Sequence, residues 1–126
     1  MRAIDTNILV RLITRDDERQ AAAADRFIED GAWVSILALA ETACVLTTVY
    51  DRSAAELATA LEMLLDHESL VLQDSEAVEA ALALFHSRPS LGFSGCLLLE
   101  LARKAGHLPL GTFDRSLAKA PGAERL

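Results

Sequence analysis

The stretch Met1-Arg2-Ala3-Ile4-Asp5-Thr6-Asn7-Ile8-Leu9-Val10 decides the reading of this chain. A short apolar run meets an acid, then Thr-Asn, then a second apolar run with helical spacing. That pattern is a strand over residues 2–4 ending at Asp5, and a helix beginning almost at once. In open α/β sheets, ligands bind beyond the carboxyl ends of strands. Asp5 therefore stands where it can cap a helix and hold a ligand.

Outward from this start, strands and helices alternate. A helix follows to Thr14, with Ile8, Leu9, Leu12 and Ile13 on one face. Asp16-Asp17-Glu18 opens a second helix, where acids suit the dipole; as three consecutive acids they read as solvated. Gly31 ends it, Ala32-Trp33-Val34 is a short strand, and Ser35 caps an almost wholly apolar helix, Ile36 to Tyr50. Ser53-x-x-Glu56 is a capping box that starts a helix to about Asp66. Leu70-Val71-Leu72 reads as a buried strand, and Asp74-Ser75-Glu76 opens a helix to about Ser87. After a loop with two breakers, a helix runs from about Gly95 to Lys104, with Gly106 as its C-cap. Leu108 to Phe113 is a strand, and Asp114 caps a final short helix, Arg115 to Ala120. Whether the tail pairs as an edge strand stays open. The alternation predicts an α/β protein with a mostly parallel sheet covered on both faces, in a single domain over residues 1–126.

Composition narrows the function. Hydrophobic residues make up 52% of 126, too many for a disordered chain. Net charge is −7, which argues against a domain that grips nucleic acid with a broad basic face. It leaves room for an enzyme that meets phosphate through bound cations, and it favours a basic protein partner. Cys44 and Cys96 lie in apolar segments without metal or redox spacing, so both read as buried free thiols. No secretory signal pattern is present, and the weakly charged run from Gly31 to Tyr50 reads as a short buried helix rather than a membrane span. The expected setting is cytoplasmic, with no membrane.

Three acids carry the chemistry. Glu41 is the only charged residue between Gly31 and Tyr50, on a helix that reads as buried all round. An unpaired carboxylate there costs several kcal/mol unless it is paired or metal-bound. Asp114 ends the strand Leu110-Gly111-Thr112-Phe113, as Asp5 ends the first; alone it would be a plain N-cap worth roughly 1 kcal/mol. Carboxylates a few ångströms apart do not all ionise without a cation. Oxygen ligands with no His or Cys nearby suit Mg²⁺ or Mn²⁺. Such an ion, with open positions, activates water and stabilises charge on a phosphodiester.

Ile-Asp-Thr-Asn-Ile-Leu-Val at the start, Leu-Ala-Glu-Thr around Glu41 and Gly-Thr-Phe-Asp-Arg around Asp114 resemble the PIN domain, and more narrowly the VapC-type toxins of bacterial toxin–antitoxin pairs. The resemblance covers the whole chain in order and spacing. It implies a three-layer α/β/α sandwich and an Mg²⁺- or Mn²⁺-dependent endoribonuclease acting on tRNA or ribosomal RNA. It also implies a homodimer, and a VapB-type antitoxin that inserts a segment into the acidic site. Asp5, Glu41 and Asp114 match three of the family's acids. Asn7 and Thr112 match the polar neighbours that orient them, and Ser116 stands where many relatives carry a further Asp or Asn.

The family's fourth acid is missing. Where the resemblance expects Phe-x-Asp, this chain has Phe93-Ser94-Gly95. Glycine in a first helical turn costs backbone entropy and gives the dipole no charge. Glu100, about 140° further round the helix, is a poor replacement. The reading favours a substituted, impaired toxin over a naturally degenerate member; a catalytically inactive PIN-fold protein that only binds antitoxin or RNA is the alternative. The three histidines, and Arg11, Arg15, Arg115 and Lys119, read first as surface or ion-paired groups. Trp33 reads as a core or dimer-interface residue.

Overall fold

Strand β1 (Arg2–Ile4) leads straight into α1 (Thr6–Thr14), with Asp5 as the hinge residue between them. A computed structural model describes residues 1–126. The chain continues through α2 (Glu18–Ile28), β2 (Ala32–Val34), α3 (Ile36–Thr48), α4 (Ala54–Asp66), β3 (Leu70–Leu72), α5 (Ser75–Ser87), α6 (Phe93–Ala105), β4 (Leu110–Thr112) and β5 (Ala123–Arg125). Six helices and short parallel strands form the PIN-like α/β/α fold expected above. Contacts within the chain divide it into two compact units, Met1–Ser75 and Glu76–Leu126.

In the first unit the strands lie in the order β1-β2-β3, all parallel. The register sets Ile4 beside Val34 and Val34 beside Leu72, and these three side chains are buried. Alternation turns Ala3, Trp33 and Val71 to the opposite side of the pleat, where all three are exposed. Helix α1 packs on α2 and α3, and α3 packs on α4. Leu9, Leu39, Leu46 and Leu61 are fully buried between these layers. Thr42 is the one buried polar side chain, and its hydroxyl donates to the Ala38 carbonyl at 2.7 Å.

Local capping follows the sequence closely. Asp17 accepts from the Gln20 N–H at 3.0 Å and caps α2 while staying exposed. Ser35 accepts from Ala38 at 3.0 Å. The Ser53–Glu56 capping box closes in both directions, at 3.1 and 2.9 Å.

One expectation fails on α3. Its composition suggested burial all round, yet only Ala38, Leu39, Thr42, Ala43 and Leu46 are buried. Leu37, Glu41, Cys44 and Thr48 lie along an exposed face, with Leu37 68% exposed. The helix has a single covered side, and apolar residues fill both. Cys44 is therefore an exposed thiol, and only Cys96 is buried. No helix is long and apolar enough to cross a membrane.

In the second unit, β4 and β5 form a separate parallel pair, so the tail does pair as a strand. The rings of Phe85 on α5 and Phe93 on α6 meet edge to face, 6.2 Å between centroids. The helix expected over Arg115 to Ala120 is only a single turn of 3₁₀-helix, Leu117–Lys119. Pro121 and Gly122 follow at once and stop it from lengthening.

Candidate active site

Asp5 sits in extended backbone at the carboxyl end of β1 and caps α1. Its Oδ1 accepts from the Ile8 N–H at 3.3 Å, a long bond that leaves most of the exposed carboxylate's acceptor capacity free. The next residue, Thr6, donates its hydroxyl to Oε2 of Glu41 at 3.4 Å. Packing of α1 on α3 thus brings Glu41 to the residue beside Asp5. Glu41 is exposed, so the argument that a buried acid must find a cation does not hold for it. Its claim to a ligand role rests on its place next to Thr6.

Asn7 is also exposed at this helix start. With Asp5, Ile8, Arg11, Gln20 and Phe27 it lines a cavity of about 510 Å³ between α1 and α2. Its wall is stiff. The Arg11 guanidinium donates to Gln20 at 2.5 Å, and to both Asp16 and the Tyr50 hydroxyl at 3.1 Å. Tyr50 in turn donates to Asp16 at 2.7 Å. The hydrogen bonds from Tyr50 and then Thr14 hold the Asp16 carboxyl below the usual carboxylate range. Arg11 and Arg15 are both ion-paired, the latter with Asp25 at 2.6 Å. Gln20, Phe27 and Tyr50 carried no sequence signal for this place, because only the packing of α1, α2 and α3 assembles it.

In the second unit, Asp114 follows β4. Its Oδ1 accepts from the Leu117 N–H at 2.9 Å, and its own N–H donates to the Thr112 hydroxyl at 3.0 Å. Thr112 thus orients the backbone that carries the acid. Phe113, just before it, is 80% exposed. Ser116 lines a cavity of about 330 Å³ with Ser87, Arg88, Ser90 and Lys119, none of which the acid motifs single out except Ser116.

Gly95 is the third residue of α6. That helix has no acid in its first turn and no side-chain cap, since Gly92 precedes it. The backbone at Gly95 is not in the left-handed region, and a Cβ there would meet Leu117 Cδ1 at 3.6 Å. Nothing in the fold requires glycine at this position.

The donor set suits a hard divalent cation in kind: carboxylates and hydroxyls, with no thiolate or imidazole among them. Within neither unit is a group of three or more His, Cys, Asp or Glu side chains gathered to hold a metal ion.

The sequence matches the family model of the PIN domain over residues 3–123. Comparisons with curated proteins and with solved structures give no match. A match of that extent, together with the parallel α/β architecture and an acid at the end of the first strand, places this chain in the PIN domain family, whose members are generally metal-dependent nucleases.

Proposed function

We propose that this chain is the toxin component of a type II toxin–antitoxin pair, a divalent-metal-dependent endoribonuclease that cleaves tRNA or ribosomal RNA and is weakened by Gly95. The observation that carries the reading is the approach of Glu41 to Thr6, beside Asp5, which puts two carboxylates at the carboxyl end of β1. Asp5, Glu41 and Asp114 are the proposed ligands for Mg²⁺ or Mn²⁺. Asn7, Thr112 and Ser116 are the proposed supporting residues, and Gly95 is the substituted acidic position. A VapB-type antitoxin, a second copy of the chain and the cytoplasm complete the proposal.

The test is cleavage of a tRNA or total-RNA mixture in Mn²⁺ by this chain and by Gly95→Asp. Weak cleavage that rises by orders of magnitude in the variant is the expected result. Equal activity in the two proteins defeats the impaired-toxin reading. No cleavage by either supports the second reading, an inactive PIN-fold protein that binds antitoxin or RNA. The absence of a three-acid group within either unit is the observation that favours it.

A further inference from the structure

The net charge of −7 is not spread evenly. Met1–Ser75 holds six basic and fourteen acidic residues, whereas Glu76–Leu126 holds six basic and five acidic. The chain's acidity lies in the first unit, and the second carries a net charge of +1. Net charge therefore does not set residues 76–126 against direct contact with nucleic acid.

Within that unit, Arg103 pairs with Glu100 and Lys104 with Glu76. Arg88 and Lys119 have no carboxylate partner. Both line the 330 Å³ cavity, with the hydroxyl residues Ser87, Ser90 and Ser116, and no acid lines it. Arg88 is already positioned: its Nη1 donates to the Lys119 carbonyl at 3.1 Å, which leaves its other N–H donors free. The segment from Asp114 to Lys119 is held by its own hydrogen bonds, Ala118 N–H to the Asp114 carbonyl at 3.0 Å and Lys119 N–H to the Ser116 carbonyl at 3.2 Å. One short hydrogen-bonded turn therefore carries a proposed metal ligand, Asp114, and two residues of the cationic, hydroxyl-lined cavity, Ser116 and Lys119.

We infer that this cavity is a phosphate subsite that anchors the RNA backbone beside Asp114. Arg88 and Lys119 supply the charge, and the Ser90 and Ser116 hydroxyls supply neutral donors, the Ser87 hydroxyl being already committed to the Ala83 carbonyl at 3.2 Å. Guanidinium and hydroxyl groups converging on a space without carboxylates suit a phosphodiester oxygen pair. The inference rests on the nuclease reading for the identity of its ligand.

The test measures binding of a fluorescent single-stranded oligoribonucleotide to the full chain in EDTA, over a range of salt concentrations. Arg88→Gln and Lys119→Gln should each weaken binding several-fold at low salt. Each should also lower the slope of log K against log salt by about 0.7, the value of one released counterion on a single strand. Lys119→Gln removes no side-chain hydrogen bond of the folded chain, so its result stands even where Arg88→Gln unfolds. Arg88→Lys should retain the slope. Unchanged affinity and slope in both Gln variants overturn the subsite, as does failure of the chain to bind RNA at low salt. Displacement by polyglutamate as effective as by RNA also overturns it, since the cavity would then read bare negative charge. Cleavage in Mn²⁺ is scored separately: loss of the nuclease reading leaves these binding effects in place, and loss of the subsite leaves cleavage in place.

Discussion

The Cβ that any residue but glycine would carry at position 95 lies 3.6 Å from Cδ1 of Leu117, an ordinary van der Waals contact. Leu117 is also the residue whose N–H is held by the Asp114 carboxylate. Position 95 and Asp114 thus converge on one leucine. An aspartate at 95 enters the uncapped first turn of α6 without a clash. Gly95→Asp should raise stability by about 0.5–1 kcal/mol, from helix propensity and the dipole together. It should also raise Mn²⁺ affinity, read by calorimetric titration. A variant that is less stable and binds no more Mn²⁺ than the parent removes the missing-acid account.

Asp5 has two separable roles, cap and proposed ligand. Asparagine caps a helix as well as aspartate does, but it carries no charge. Asp5→Asn should therefore melt close to the parent while abolishing Mn²⁺-dependent cleavage in the Gly95→Asp background. Asp5→Ala should lose the cap as well, at a cost of about 0.5–2 kcal/mol. Full cleavage by Asp5→Asn sinks the ligand role.

Asp16 links acid stability to the wall of the first cavity. Its folded carboxyl is held low by Tyr50 first and Thr14 next. A depressed folded pKa contributes stability that is fully present above the unfolded value, about 3.9, and is lost as pH falls through the folded value. Asp25, held low by Arg15, acts in the same window. Denaturant melts between pH 5 and 2 should show stability falling with acid, and Tyr50→Phe should flatten that fall. A Tyr50→Phe profile parallel to the parent's refutes the assignment.

The two cysteines should differ in reactivity. Cys44 is exposed, whereas Cys96 is fully buried and burial pushes its thiol up to about 11. The thiolate is the reactive form, so an aromatic disulfide reagent at pH 8 should modify Cys44 at once and Cys96 only after unfolding. Prompt reaction of both thiols in the native chain contradicts this placement.

Much of the fold was legible locally. Asp5, Asp17, Ser35 and Ser53 all cap the helices that their positions announce, because capping depends on a side chain and an N–H two or three residues away. The turn after Asp114 is shorter than the expected helix at its start, Leu117 rather than Arg115, while Pro121 and Gly122 end it where the sequence indicates.

Glu41 shows where sequence reasoning ran out. Its apolar neighbours on α3 implied burial, yet the helix covers one face only and leaves Glu41 beside Leu37 and Cys44 on the other. Arg88 shows the same from the opposite side: it sits in a loop with no motif, and only its bond to the Lys119 carbonyl places it with Ser116.

The sequence by itself determined the order of strands and helices, their caps and the acids at strand ends, all of which depend on neighbours within a few residues. Only the tertiary structure decided which face of α3 meets solvent, which hydroxyl approaches Glu41 and which cations share a cavity. Those depend on packing between segments thirty or more residues apart, and composition carries no record of which partner covers which face.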